Sequence, residues 1–164
     1  MGAPGGALAG RGMRARRSVA GFTLIELLIV VAIIGLIAAI AIPNLMSALN
    51  KAKQTKTMAD IKAIGSALET YAVDNNTYPK SLTDANAQVL SGYVSLYLKT
   101  VPPGDGWSNS WHIDTNSAGT IYTITSYGAD GVSGTNPGGP TANFNCDIIF
   151  TNNSFYQWPG GAQQ

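Results

Sequence analysis

Few side chains in this sequence could do chemistry, and their spacing limits what that chemistry is. There is one histidine, His112, and one cysteine, Cys146, among 164 residues. A lone thiol makes no intrachain disulfide, and the two residues together build no His/Cys metal cluster. Any nucleophile–base pair would have to be assembled around His112, whose place beside Trp111 reads more simply as a surface or half-buried aromatic position. An acid/base or nucleophile constellation is missing, which argues against an enzyme. Three acids stand out by location instead. Glu26 is the only charge in the apolar run FTLIELLIVVAIIGLIAAIAI, residues 22–42. Asp130 and Asp147 lie at the two ends of a loop rich in Gly, Asn and Pro, SYGADGVSGTNPGGPTANFN, residues 126–145.

A carboxylate in hydrocarbon is costly by several kcal/mol unless it is paired or protonated, and the run itself offers Glu26 no partner. Two resolutions are open. In a lone subunit Glu26 is neutral or snorkels to the nearby headgroups. Alternatively, a cut between Gly21 and Phe22 creates a new cationic α-amino group about one helical turn away. A pair within one helix end is sterically awkward. A second copy of the helix, displaced along the axis, would let Glu26 meet the Phe22 ammonium of its neighbour. Such a buried pair sets register better than it stabilises, so the segment would be an assembly device as well as an anchor.

The elements that must position these groups follow from the patterning. Charged residues make up 12% and hydrophobic residues 45% of the chain, a balance that suits a membrane segment joined to a polar domain. Residues 1–21 form a Gly/Ala-rich and then basic leader, with Arg11, Arg14, Arg16 and Arg17 and no acid. Met13 is an alternative start. The arginines hold that end on the cytoplasmic side by the positive-inside rule. Residues 22–42 span about 30 Å as a helix, the hydrocarbon thickness. An ordinary secretory signal is cut beyond its apolar core, whereas Gly21-Phe22 precedes it, so the apolar segment stays on the mature chain. Pro43 predicts a kink or local melting. Beyond it Leu45, Leu49, Ala52, Met58, Ile61, Ile64, Leu68 and Tyr71 recur at spacings of three and four, giving an amphipathic continuation over residues 43–74 that Asp74-Asn75-Asn76 and Tyr78-Pro79 stop.

Residues 75–164 must supply a domain that covers this stripe. Thr83 to Leu98 reads as a short helix or loop. Ser110–Ile113, Thr120–Ser126 and Cys146–Thr151 read as strands between Gly/Asn/Asp/Pro turns. The fold class is α+β: a long N-terminal helix packed on a small antiparallel sheet. Six lysines stand against nine acids from Phe22 onward. Lys51, Lys53 and Lys56 cluster locally, but as a solvated stretch rather than a basic face, and no nucleic-acid partner is expected.

Gly21-Phe22-Thr23-Leu24-Ile25-Glu26-Leu27, followed by the apolar helix and Pro43, resembles the processing and methylation motif of type IV pilins and type II secretion pseudopilins. The resemblance implies a pilin-like fold. It also implies a prepilin peptidase/N-methyltransferase that cuts after Gly21 and methylates Phe22, and subunits that pack as a helical filament. Residues 55–79, Asp105-Gly106-Trp107-Ser108-Asn109-Ser110-Trp111, Tyr122 to Gly131 and Asp147-Ile148 are similar to the G-type major pseudopilin. This narrows the expectation to an inner-membrane, single-pass subunit with a periplasmic C-terminal domain. Its expected partners are further copies of itself, minor pseudopilins and an inner-membrane platform protein, in a filament that drives protein export. The alternative is a type IV pilin for adhesion, twitching or DNA uptake, in which Tyr156 and Trp158 could bind surfaces. Without a disulfide the 126–147 loop needs something to order it. Calcium takes six to eight oxygen ligands, and Asp130, Asp147, loop carbonyls and Ser133 could provide them. The equivalent loop of G-type pseudopilins binds calcium, and the other reading is a plain turn at Asp130-Gly131.

Overall fold

The computed structural model describes Gly2, residues 21–161 and Gln163. The leader arginines lie outside the described residues. The chain divides into two units, Met1–Ile40 and Ala41–Gln164, and each is described by itself.

Helix α1 runs Leu24–Asn75, against the expected 22–74. Its start is a reciprocal cap. Thr23 sits just before the helix, and its hydroxyl accepts the Glu26 N–H at 3.3 Å. Glu26 Oε2 in turn accepts the Thr23 N–H at 3.3 Å and the Thr23 hydroxyl at 3.1 Å. This is the T-x-x-E capping box, so Glu26 does have a partner in its own segment, contrary to the expectation from sequence. The helix also continues through Pro43, where local melting was expected. One absent donor does not break a cooperative helix flanked by good helix formers such as Leu45, Met46, Ala48 and Leu49. Past Asn75 the backbone turns left-handed at Asn76 (φ 58°), the usual C-terminal exit for Asn or Gly.

In the second unit, Ile61, Ile64 and Leu68 of α1 are fully buried. They pack against Ile113, Tyr122, Ile124 and Phe150 of the sheet and against Leu90 and Val94 of α2, an eight-residue helix, Ala87–Val94. Asn86 caps α2 by accepting the N–H groups of Gln88 and Val89, as an N-terminal Asn should. Gly65 lets sheet and helix touch: a Cβ there would lie 2.5 Å from Phe150 Cε1 and 3.2 Å from the Tyr122 hydroxyl.

Five strands form the sheet: β1 His112–Thr115, β2 Tyr122–Ser126, β3 Gly139–Thr141, β4 Ile148–Thr151 and β5 Ser154–Pro159. Their order is β1-β2-β4-β5-β3. The first four pair antiparallel, as expected, but β3 joins β5 in parallel, so the sheet is mixed. Pro140 within β3 has no N–H to give, which an edge strand tolerates. β4 and β5 are joined through Asn152-Asn153, both with positive φ (44° and 64°), the requirement of a two-residue type I′ hairpin. At the other edge, residues 82–85 cover β1: Ala85 exchanges both backbone bonds with Ile113, and Leu82 accepts the N–H of Thr115. An edge closed in this way does not recruit strands.

Glu69 of α1 fastens the helix to the sheet side. Its two oxygens accept the hydroxyls of Tyr122 and Tyr78, each at 3.0 Å. The two rings meet edge to face at 4.8 Å, and the Tyr122 hydroxyl accepts the Asn153 N–H. Burial, then the Glu69 hydrogen bond and charge, push the Tyr78 hydroxyl up to about 12. Burial likewise raises Tyr122, with Glu69 adding to it and the Asn153 N–H opposing it.

Two outcomes are expected. Gly65→Ala gains about 1 kcal/mol of helix propensity but overpacks against a buried ring, typically worth about 1–3 kcal/mol. The net effect is a lower denaturant midpoint. Because the folded tyrosines hold their protons more tightly than the unfolded chain does, stability is intact below pH about 10 and falls as pH rises toward 12. Tyr122→Phe should flatten that alkaline limb in pH-resolved melting curves.

Candidate functional site

The first unit carries the sequence-predicted processing and assembly residues. Gly21 and Phe22 precede the helix and belong to no regular element. No atom comes within 4 Å of a Cβ built at Gly21, and Phe22 is 71% exposed. Among the described residues nothing covers either side of the Gly21–Phe22 bond. Glu26, also exposed, uses only Oε2 in the cap. Its Oε1 accepts no hydrogen bond among the described residues and is available to a cation. From Leu24 onward α1 bears a segment long and apolar enough to cross a membrane, and none of it is buried within the chain. Burying one such Leu or Ile side chain is worth about 1.5–3 kcal/mol, so this surface demands either lipid or other helices.

In the second unit two loops come together. The Asp105–Asn109 turn is organised by Asp105, whose residue is 3% exposed. Its Oδ1 accepts the N–H groups of Trp107 and Asn109 at 2.9 Å, and its Oδ2 accepts the Ser126 hydroxyl at 2.6 Å. The turn sits directly on α1. The Gly106 N–H donates to the Thr57 hydroxyl at 2.9 Å, the Trp107 indole donates to Asn50 Oδ1 at 3.1 Å, and a Cβ on Gly106 would lie 2.1 Å from the Lys53 carbonyl oxygen. Only glycine fits there. Asn109 then donates to the Gly128 carbonyl at 2.7 Å, linking α1 to the 126–147 loop. The Asp105–Trp111 motif stands out in the sequence, whereas the role of its members does not. The signal was a carboxylate two residues before Trp and four before Asn, the spacing of an Asx-type turn.

Asp147 is buried, at 1% exposed. Both its oxygens lie within reach of the Gly134 N–H, at 3.1 and 3.3 Å. Its backbone carbonyl accepts Gln157 Nε2 at 2.8 Å, and Gln157 also donates to Asn136 and accepts from Gly138. Burial raises the Asp147 carboxyl above its ordinary range; the Gly134 N–H and Asn136 amide oppose this, the charge of Asp130 adds to it and His112 counters it. Asp130 is exposed and accepts the Val132 N–H at 3.1 Å, the Asx turn anticipated at Asp130-Gly131. Ser133 is exposed on the same loop. The two acids thus lie on one loop, Asp147 buried and Asp130 exposed. Among the described residues no three His, Cys, Asp or Glu side chains gather to hold a metal, so backbone carbonyls would have to complete any shell. A buried carboxylate held above its ordinary range, on a loop that offers carbonyl oxygens, suits a hard oxygen-binding cation. The Cys146 thiol is turned to Asn143. His112 stacks on Tyr127 at 3.8 Å and pairs with Asp84.

The N-terminal cap and the Asp105–Asn109 turn both fall within matches to known protein families. Residues 44–141 match the family profile described as type II secretion system protein G, and residues 16–42 match the prokaryotic N-terminal methylation motif. The chain belongs to the type II secretion system protein G family. Relatives named type II secretion system core protein G include that of Pseudomonas aeruginosa, 37% identical over 73% of this chain and 89% of its own length. That of Escherichia coli K12 is 36% identical over 75% and 90%, and that of Vibrio cholerae 34% identical over 74% and 88%. Within the protein G profile lie both the Asp105–Asn109 turn and Asp130; Asp147 lies just beyond its end.

The raised carboxyl of Asp147 has a defined sign. The folded state holds this proton more tightly than the unfolded chain, so ionisation opposes folding as pH rises through the ordinary carboxylate range. Without added metal, Asp147→Asn should raise the melting temperature at neutral pH and lose that advantage in acid. An unchanged or lower melting temperature at neutral pH would mean that the Gly134 and Asn136 bonds compensate the charge fully.

Proposed function

We propose that this chain is the major pseudopilin of a type II secretion system: a membrane-anchored subunit that polymerises into a periplasmic filament and drives protein export. The carrying observation is the protein G match over residues 44–141, preceded by a methylation motif over residues 16–42. Maturation is a cut after Gly21 by a prepilin peptidase, with N-methylation of Phe22. The exposed Gly21-Phe22 junction, ahead of the first helical turn, supports this order of events. Before assembly the apolar half of α1 lies in the inner membrane, with the second unit on the periplasmic side. In the filament the uncovered apolar helices pack on one another. Glu26 Oε1 then takes the Phe22 ammonium of a neighbouring copy, which neutralises two charges that are each costly in oil. Further partners on this reading are minor pseudopilins and an inner-membrane platform protein.

Calcium is the proposed structural ion of the 126–147 loop. Asp147 and Asp130 would hold it, with loop carbonyls and Ser133 completing an oxygen shell. A cation there offsets the buried charge of Asp147 and orders a segment that has few apolar contacts of its own. A bound ion stabilises by mass action.

Three measurements test this. Deleting the gene should leave exoproteins in the periplasm, and Glu26→Gln should fail to restore export although the chain still inserts in the membrane. Normal export with Glu26→Gln would overturn the assembly role. Mass spectrometry of the mature chain should find Phe22 first and methylated. Calcium should raise the melting temperature of the wild type but not of Asp147→Asn, and a wild-type melting temperature blind to chelator would remove the ion.

A further inference from the structure

We propose that the end of the second unit next to the apolar run is a lipid-headgroup site, in which Lys51, Lys53 and Trp107 seat the unit on an anionic phospholipid surface. The proposal rests on the membrane-anchored reading above and adds what the protein does at the far face of the bilayer.

Four observations converge. First, exposed apolar side chains do not stop at Pro43: Leu45, Met46 and Leu49 are all about half exposed or more. A span needs about 20 residues. Counted from Leu27, just past the only acid in the run, it is used up near Met46, so Leu49 falls at the opposite headgroup boundary. Second, no acid occurs between residues 27 and 59, whereas Lys51, Lys53 and Lys56 do. Lys56 is bridged to Asp60 at 2.8 Å. Lys51 and Lys53 are exposed and make no ion pair among the described residues. Third, two residues apart on a helix is 200°, so these two lysines flank α1 on opposite sides and can both reach phosphates while their stems lie along apolar surface. Fourth, Trp107 is brought to the same level by its bond to Asn50, between Leu49 and Lys51. An indole held there, half-buried, occupies the position that tryptophan favours at membrane–water interfaces.

The charge complementarity decides the occupant. An anionic surface attracts each juxtamembrane lysine by roughly fivefold in local association, and no acid lies in the apolar stretch before them to oppose it. A second copy of this chain would have to present acids to an apolar, indole-bearing rim, which matches less well.

The test uses the full chain in vesicles of phosphatidylcholine alone or with about one-third phosphatidylglycerol, carrying a headgroup-labelled quencher. The contribution of Trp107 to the fluorescence is the difference between the wild type and Trp107→Phe. Its quenching should be roughly doubled in the anionic vesicles and fall back in high salt, where the Debye length shortens. Lys51→Gln combined with Lys53→Gln should lose the dependence on lipid charge while the chain still floats with the vesicles. Quenching of Trp107 that is equal in both vesicle types, or amine-to-carboxyl cross-links joining Lys51 or Lys53 to a second copy, would overturn the headgroup site alone. A chain that does not float with vesicles at all would overturn the anchored reading, and the site with it.

Discussion

Water imposes opposite outcomes on the two stretches of α1. From Ile61 to Leu68 the apolar stripe is covered by the sheet and α2, and the side chains are fully buried. From Leu24 to Ile42 no described residue covers an apolar surface that runs all round the helix, and Leu45, Met46 and Leu49 stay exposed beyond it. A soluble monomer does not sustain that much contiguous apolar exposure. The uncovered helix calls for an apolar neighbour, and the proposed function supplies one in each state, lipid for the lone subunit and sister helices in the filament. The second unit is built to be self-sufficient, with its sheet edge closed at Ala85–Ile113 and its helix and sheet fastened through Glu69.

On the assembly proposed above, Glu26 would do two jobs. With Thr23 it completes the helix start using one carboxylate oxygen, which is a local matter worth about 1 kcal/mol in an ordinary helix. The same carboxylate keeps a second oxygen for a partner outside the chain. The cap fixes where the charge points; it does not neutralise it. Removing the charge while preserving the shape therefore separates the two jobs.

Much of the fold was legible because its largest signals are local. The 3.6-residue recurrence of Ile61, Ile64 and Leu68, and the stop at Asp74-Asn75-Asn76, placed the end of α1 to within a residue. Three of the five strands stood out as β-branched and aromatic runs. β3 was hidden because Pro140 argues against a strand unless the strand is at an edge, and position in a sheet is not a local property. β5 could have been found from Asn152-Asn153, which supply the two left-handed residues of a tight hairpin. The turn at Asp105 was visible as a motif, but its partners Thr57 and Ser126 are far away in sequence. The Thr23–Glu26 cap is spelled out by its T-x-x-E spacing, but a capping box and a charge stranded in oil share that spacing, and only the local hydrogen bonds tell them apart.

The cap at the head of α1 has a consequence for maturation. Each of its bonds comes from Thr23 or Glu26, on the retained side of the Gly21–Phe22 bond. Severing that bond takes nothing from the first helical turn. On the maturation proposed above, the helical turn that begins at Leu24 would keep its cap after the cut, with only Phe22 and Thr23 ahead of it.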